Sequence, residues 1–254
     1  MVYNSLTEVP RNLKEGIDWL MAVKGTDAET NLKAMGEAIY NFLVDKPLGL
    51  KKLPALENVK KISKEFMGQK ELKNHPSVST LLDRFDQPMN KSKTAVFFKF
   101  PWVRHESDYE NILKSQGLKP DDMVNEVAHV MDGCEKFLEK IKVPGQYKSV
   151  YSGEATWESS CAKNPEACAV VLVGIAPMLY SGLRSLKDAT EAATRYGKIP
   201  KAEKRLGSLL KAVGYDEPEC RPGMSGSDIL KALDGVDVDI LITLYDIAGF
   251  WAFY

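Results

Sequence analysis

No charged residue stands between Glu166 and Arg184. A run that is apolar on every side cannot lie on the surface of a water-soluble chain, and its periodicity predicts a helix from Ala167 to about Tyr196. The uncharged stretch is slightly short for the roughly 20 residues that cross a bilayer, and Pro177 interrupts it. The reading is therefore a core helix, kinked at Pro177, at the centre of a bundle. That demand fixes the rest of the fold: the remaining segments must coat this helix and turn polar faces outward. The expected class is all-α, an irregular multi-helix bundle around a long central buried helix.

The flanking sequence supplies such a coat. Pro10 is placed to open a helix in which Leu13, Ile17, Leu20 and Met21 fall on one side and Gly25 is the stop. Thr26 with Glu29 reads as a capping box for a second stripe of Leu32, Met35, Ile39, Phe42 and Leu43. Pro54 starts a third, with Leu56, Val59, Ile62, Phe66 and Met67, and residues 76–85 a fourth. Ser107 with Glu110 suggests another capping box, closed by Gly117. The most regular stripe follows Pro120: Met123, Val127, Val130, Met131, Cys134, Phe137, Leu138 and Ile141, stopped by Pro144-Gly145. Residues 202–213 form a short helix ahead of Gly214, 215–226 a Pro- and Gly-rich loop, and Ser227 the cap of residues 228–233. Val236 to Ile242 alternates like a strand, but with no second strand to pair it is assigned to a helix. The expected domain is 1–254, with a division into two lobes, 1–85 and 107–254, joined by the aromatic-rich loop 86–106.

The balance of charge narrows function. With 34 basic and 35 acidic residues the net charge is -1, which disfavours a nucleic-acid binder, since neutralising phosphates takes a basic surplus. Apolar residues at 44 % and charged residues at 27 % are ordinary for a folded chain. The first residues carry Glu8, Arg11, Lys14 and Glu15 with no apolar signal core. The expectations are a cytosolic chain, export without an ordinary signal, or a signal already removed; membrane anchoring is not evident. Four cysteines, Cys134, Cys161, Cys168 and Cys220, allow two disulfides in three pairings, and none shows CxxC spacing. The histidines, His75, His105 and His129, are scattered, so no metal site is expected. No P-loop, GxSxG or HExxH motif occurs. Asp237 and Asp239 are too few for a calcium loop. The chain is therefore expected not to be an enzyme and to use no cofactor.

One stretch resembles a known family. Leu6-Thr7, Pro10, Asn12-Leu13-Lys14-Glu15, Ile17-Asp18-Trp19 and Gly25 are similar to the opening phrase of the variant erythrocyte surface antigens of Babesia parasites, with Gly16 where that phrase has alanine. The segments at 132–141 and 244–254 resemble text of the same multigene families more loosely. The resemblance implies a parasite protein exported to the infected red cell, displayed or secreted, that engages a host or parasite surface protein in adhesion or immune evasion. It transfers no catalytic residue. Along the phrase itself, Leu13, Ile17 and Leu20 are expected to face the core and Lys14, Glu15 and Asp18 to stay wet.

Binding residues concentrate on loops, so the expected partner contacts are the loops 86–106 and 215–226, with Phe97, Phe98, Phe100 and Trp102 as the candidate anchors. An exported protein predicts disulfides among Cys134, Cys161, Cys168 and Cys220, because the outside is oxidising. The competing reading, an intracellular helical scaffold or adaptor, predicts four free thiols.

Overall fold

The computed structural model describes residues 2–87, 105–195, 200–216 and 218–254. The main helices are α1 (Leu13–Lys24), α2 (Ala28–Leu43), α3 (Pro54–Met67), α4 (Pro76–Asp86) and the short α5 (Ile112–Ser115). They continue with α6 (Pro120–Ile141), the single turn α7 (Trp157–Ser160), α8 (Pro165–Arg195) and α9 (Pro200–Ala212). The chain closes with α10 (Gly226–Ala232), α11 (Val238–Ile247) and α12 (Phe250–Phe253). Among the described residues β-pairing is limited to two isolated bridges, Tyr3 with Tyr151 and Lys142 with Cys220.

Helix α8 is the axis, and α1, α2, α3, α4, α9, α10 and α11 all pack on it. Its consecutive Val170, Val171, Leu172 and Val173 are buried, as an all-round apolar helix requires. Pro177 lies inside the helix and removes one backbone donor. Close to that break, the Ser63 hydroxyl of α3 donates to the Gly174 carbonyl at 2.6 Å. Helices of the bundle approach one another closely at glycine. A methyl group on Gly174 would run into Val59 of α3, and one on Gly36 of α2 would meet the Val124 backbone of α6 at 2.5 Å. Apolar residues from both sides of residues 86–106 belong to one buried cluster. Each fully buried Leu, Ile or Phe in such a cluster contributes about 1.5–3 kcal/mol.

The chain's last aromatic residues are buried in this cluster. Trp251 Nε1 donates to the Lys46 carbonyl at 3.2 Å, and Lys60 Nζ donates to the Phe253 carbonyl at 2.6 Å while resting 4.2 Å from the Tyr254 ring centroid.

Several helix starts differ from the sequence reading. Helix α1 begins at Leu13, not at Pro10, because the Asn12 side chain accepts the Glu15 N–H at 2.9 Å. Asp27 rather than Thr26 precedes α2, without a side-chain cap bond. Ser107 belongs to a 3-10 turn, Glu106–Asp108, and does not cap a helix; Asn111 caps α5. The same Asn111 amide donates to the carbonyls of Leu43, Val44 and Lys46, which closes the end of α2. Ser225, not Ser227, starts α10, through a reciprocal box with Asp228. The Val-Asp-Val-Asp alternation is helical: Asp237 accepts the Ile240 N–H at 2.9 Å and caps α11.

Candidate interaction cleft

The site starts at α1. Lys14 and Asp18 are one turn apart and were expected in solvent; they are instead 7 % and 1 % exposed. Buried charges require partners. Asp18 accepts the Tyr147 hydroxyl at 2.6 Å, the Val150 N–H at 3.1 Å and Lys14 Nζ at 3.4 Å. Lys14 Nζ also donates to the Lys148 carbonyl at 3.0 Å, pairs with Glu219 at 3.1 Å and sits 4.6 Å from the Tyr147 ring centroid. Burial raises the Asp18 carboxyl, and Lys14 and Tyr147 pull it back. Burial also drives the Tyr147 phenol up, and Asp18 adds to the rise. This network holds α1 against residues 147–150 and against the loop that follows α9. Glu15 is only half-buried.

That loop is laid along the end of α6. The Val143 N–H donates to the Glu219 carbonyl at 2.8 Å, and the Arg221 N–H donates to Ile141 at 3.0 Å. Arg221 Nε donates to the Lys142 carbonyl at 3.2 Å. The Lys14 N–H, one of the unpaired donors in the first turn of α1, reaches the Val213 carbonyl at the end of α9 at 3.0 Å. Gly214 turns the chain there with φ +98, a value that side chains rarely adopt.

Between α9 and this loop lies a cleft of about 300 Å³, at the small end of ligand sites. Ile141, Leu210, Tyr215 and Met224 supply its apolar wall, and the exposed Asp216 and Arg221 supply its charge. Tyr215 packs edge-on against Phe137, ring centroids 5.4 Å apart. The Tyr215 hydroxyl is buried without a hydrogen-bond partner among the described residues. Burial places its ionisation well above the usual phenol value.

The four cysteines divide. Cys161 and Cys168 stand at disulfide distance, Cα atoms 6.0 Å apart, and tie the turn α7 to the start of α8. The second disulfide that the count allows is not made: Cys134 and Cys220 are free and buried. Burial pushes the Cys134 thiol up to about 12 and the Cys220 thiol up to about 11, with Lys14 opposing the latter. Thiolate, the reactive form, is scarce at either position near neutral pH.

Phe97, Phe98, Phe100 and Trp102 lie outside the described residues, but the residues flanking them form a second buried charged cluster. Arg84 Nη2 pairs with Asp108 at 2.6 Å, and the Tyr245 hydroxyl donates to the other Asp108 oxygen at 2.7 Å while accepting from Arg84. The His105 ring stacks on Tyr245, centroids 3.6 Å apart. Burial lowers the Arg84 guanidinium, and Asp108 opposes that shift. His105 is lowered to about 4 by burial and by Arg84. Asp246 is raised to about 6 by burial, held back by Ser107 and pushed further by Asp108, Glu126 and Glu106.

Of the acids considered for a cation, Asp237 is committed to its cap and to His129 at 3.0 Å. Among the described residues no group of three or more His, Cys, Asp or Glu is placed to share a metal. Sequence reasoning reached the 215–226 loop, which contains Arg221, but placed Lys14 and Asp18 in solvent and missed Tyr147. The Lys14/Asp18 spacing was the available signal, and it reads equally as a surface pair. No protein-family model, curated protein or solved structure matches the chain.

Proposed function

We propose that this chain is a non-enzymatic, exported helical protein of a piroplasm parasite that engages a protein partner at the host-cell surface, in adhesion or immune evasion. The observation that carries the reading is the Cys161–Cys168 pair, since disulfides persist outside the reducing cytosol. The resemblance of the opening phrase to that of the variant surface antigens supports it. In this chain the phrase is a packing element: Leu13 and Ile17 enter the core, and Lys14 and Asp18 anchor the loops that border the cleft. The cleft beside the 215–226 loop gives such a protein a contact surface made by its own fold.

The reading is tested by alkylating denatured protein from native material and measuring intact mass with and without reductant. The expected result is two alkylated cysteines without reductant and four with it. Four without reductant defeats the exported reading in favour of the intracellular scaffold, a reading that the free Cys134 and Cys220 favour.

A further inference from the structure

Helix interiors contain glycine for a reason, because the residue weakens a helix relative to alanine. In α1, α2, α6 and α8 the reason is contact. A methyl group on Gly16 would stand 2.7 Å from Leu179, one on Gly36 2.5 Å from Val124, and one on Gly182 3.1 Å from Leu13; on Gly133 and Gly174 it would collide with Ile240 and Val59. Gly207, in the middle of α9, is different: nothing lies within 4 Å of such a methyl group, and Gly207 lines the cleft. Packing does not account for this glycine. What it leaves is open space at the cleft wall.

The charge beside that space is also specific. Asp216 is engaged by Lys211 at 3.5 Å, and Glu219 by Lys14 at 3.1 Å. Arg221 is held by its backbone N–H and Nε, and its two terminal amino groups make no hydrogen bond or ion pair among the described residues. A fixed guanidinium fork matches a carboxylate in a two-bond geometry. The apolar wall of Leu210, Tyr215 and Met224 borders the same 300 Å³. A chain terminus presents a carboxylate and an apolar side chain on one residue, which suits a cleft of this size with both features on its wall.

Resting on the interaction-protein reading, we infer that this cleft receives the C-terminus of a partner protein ending in an apolar residue. The carboxylate binds Arg221 and the side chain lies against Leu210, Tyr215 and Met224.

The test is fluorescence anisotropy on the full chain with fluorescein-labelled Gly-Ser-Gly-Ser-Leu as free acid, the same peptide as C-terminal amide, and an amidated peptide with an internal Asp before Leu. The free acid is expected to saturate below about 1 mM, a weak single-site affinity, and the amide to bind at least about tenfold more weakly. Arg221→Gln should lower free-acid binding about tenfold and leave the amide unchanged. Gly207→Leu, which enters open space and favours helix, should abolish binding while raising the melting temperature. Equal binding of acid and amide, equal binding of the internal-Asp peptide, no saturation by the free acid, or unchanged binding by Gly207→Leu overturns the inference. If the peptides fail while native material retains the Cys161–Cys168 disulfide, only the ligand assignment falls and the exported reading stands.

Discussion

The molecule buries two clusters with the same parts, a cation, an aspartate and a tyrosine, and assembles them in opposite ways. In Lys14–Asp18–Tyr147 the ion pair comes from successive turns of one helix, and distant loops bury it. In Arg84–Asp108–Tyr245 the cation and the carboxylate come from either side of residues 88–104, and only the tertiary fold joins them. Helix α1 brings the first pair together before any packing occurs, worth about 0.2–0.5 kcal/mol on an open helix. The second pair exists only after two chain segments have been ordered. A local pair buried late and a non-local pair made late differ in what each cluster contributes to cooperativity.

Removing one carboxylate from each is the most severe test. Asp18→Ala takes from the buried Lys14 one of its two carboxylate partners, and Asp108→Ala takes from Arg84 the carboxylate it pairs with; each should cost about 3–5 kcal/mol in chemical denaturation, as broken buried pairs do. If the contrast holds, removing both charges as Lys14→Met with Asp18→Leu recovers much of the loss. The double change would leave the loss intact if the loops at 147–150 and 219 need the charges to dock.

Next in size is a pH effect in the second cluster. Asp246, raised to about 6 from 3.8, contributes stability that is present below the unfolded value and is lost as pH rises through 6. His105, lowered to about 4 from 6.5, acts oppositely and costs stability as pH falls from 6.5 toward 4. Each swing is on the order of 3 kcal/mol, so from these two groups the wild-type chain should show little net slope between pH 4 and 6.5. Asp246→Asn should unmask the His105 loss on acidification and raise stability at pH 7.5 by about 3 kcal/mol; melting curves across that range decide it. A variant whose slope equals the wild type's would disconnect the two groups.

A smaller change separates the tyrosines. Tyr147→Phe removes the hydroxyl bonded to Asp18 and should cost about 1.5 kcal/mol, whereas Tyr215→Phe removes an unpaired buried hydroxyl and should stabilise by up to about 1 kcal/mol. The smallest expected effect is Gly207→Ala, a gain of about 0.5–1 kcal/mol from helix preference. Loss of stability there would mean that the space in the cleft wall serves the fold.

The axis of the fold was readable from residues. An uncharged run has one physical home, and the stripes that pack on it follow. Cap positions were less readable, because Thr26 and Asp27, or Ser225 and Ser227, compete within two residues and surrounding contacts choose the winner. Lys14 and Asp18 were misread for a geometric reason. They adjoin Leu13 and Ile17 at the margin of the apolar face, where periodicity fixes direction but not what lies opposite. The loops that cover them lie more than a hundred residues away. The cleft was half visible: the loop at 215–226 stood out by composition, but its wall needs Ile141 and Gly207 brought alongside, which no local pattern encodes.

The Arg84–Asp108 contact pins together the two shores of residues 88–104. Its partners stand 24 residues apart in sequence, and the entropy lost when an unfolded chain forms such a contact grows only with the logarithm of that separation, about 0.6 kcal/mol for each doubling. What this contact contributes to the fold therefore rests on its burial, with Arg84 and Asp108 both largely shielded from solvent, more than on the length of chain it spans.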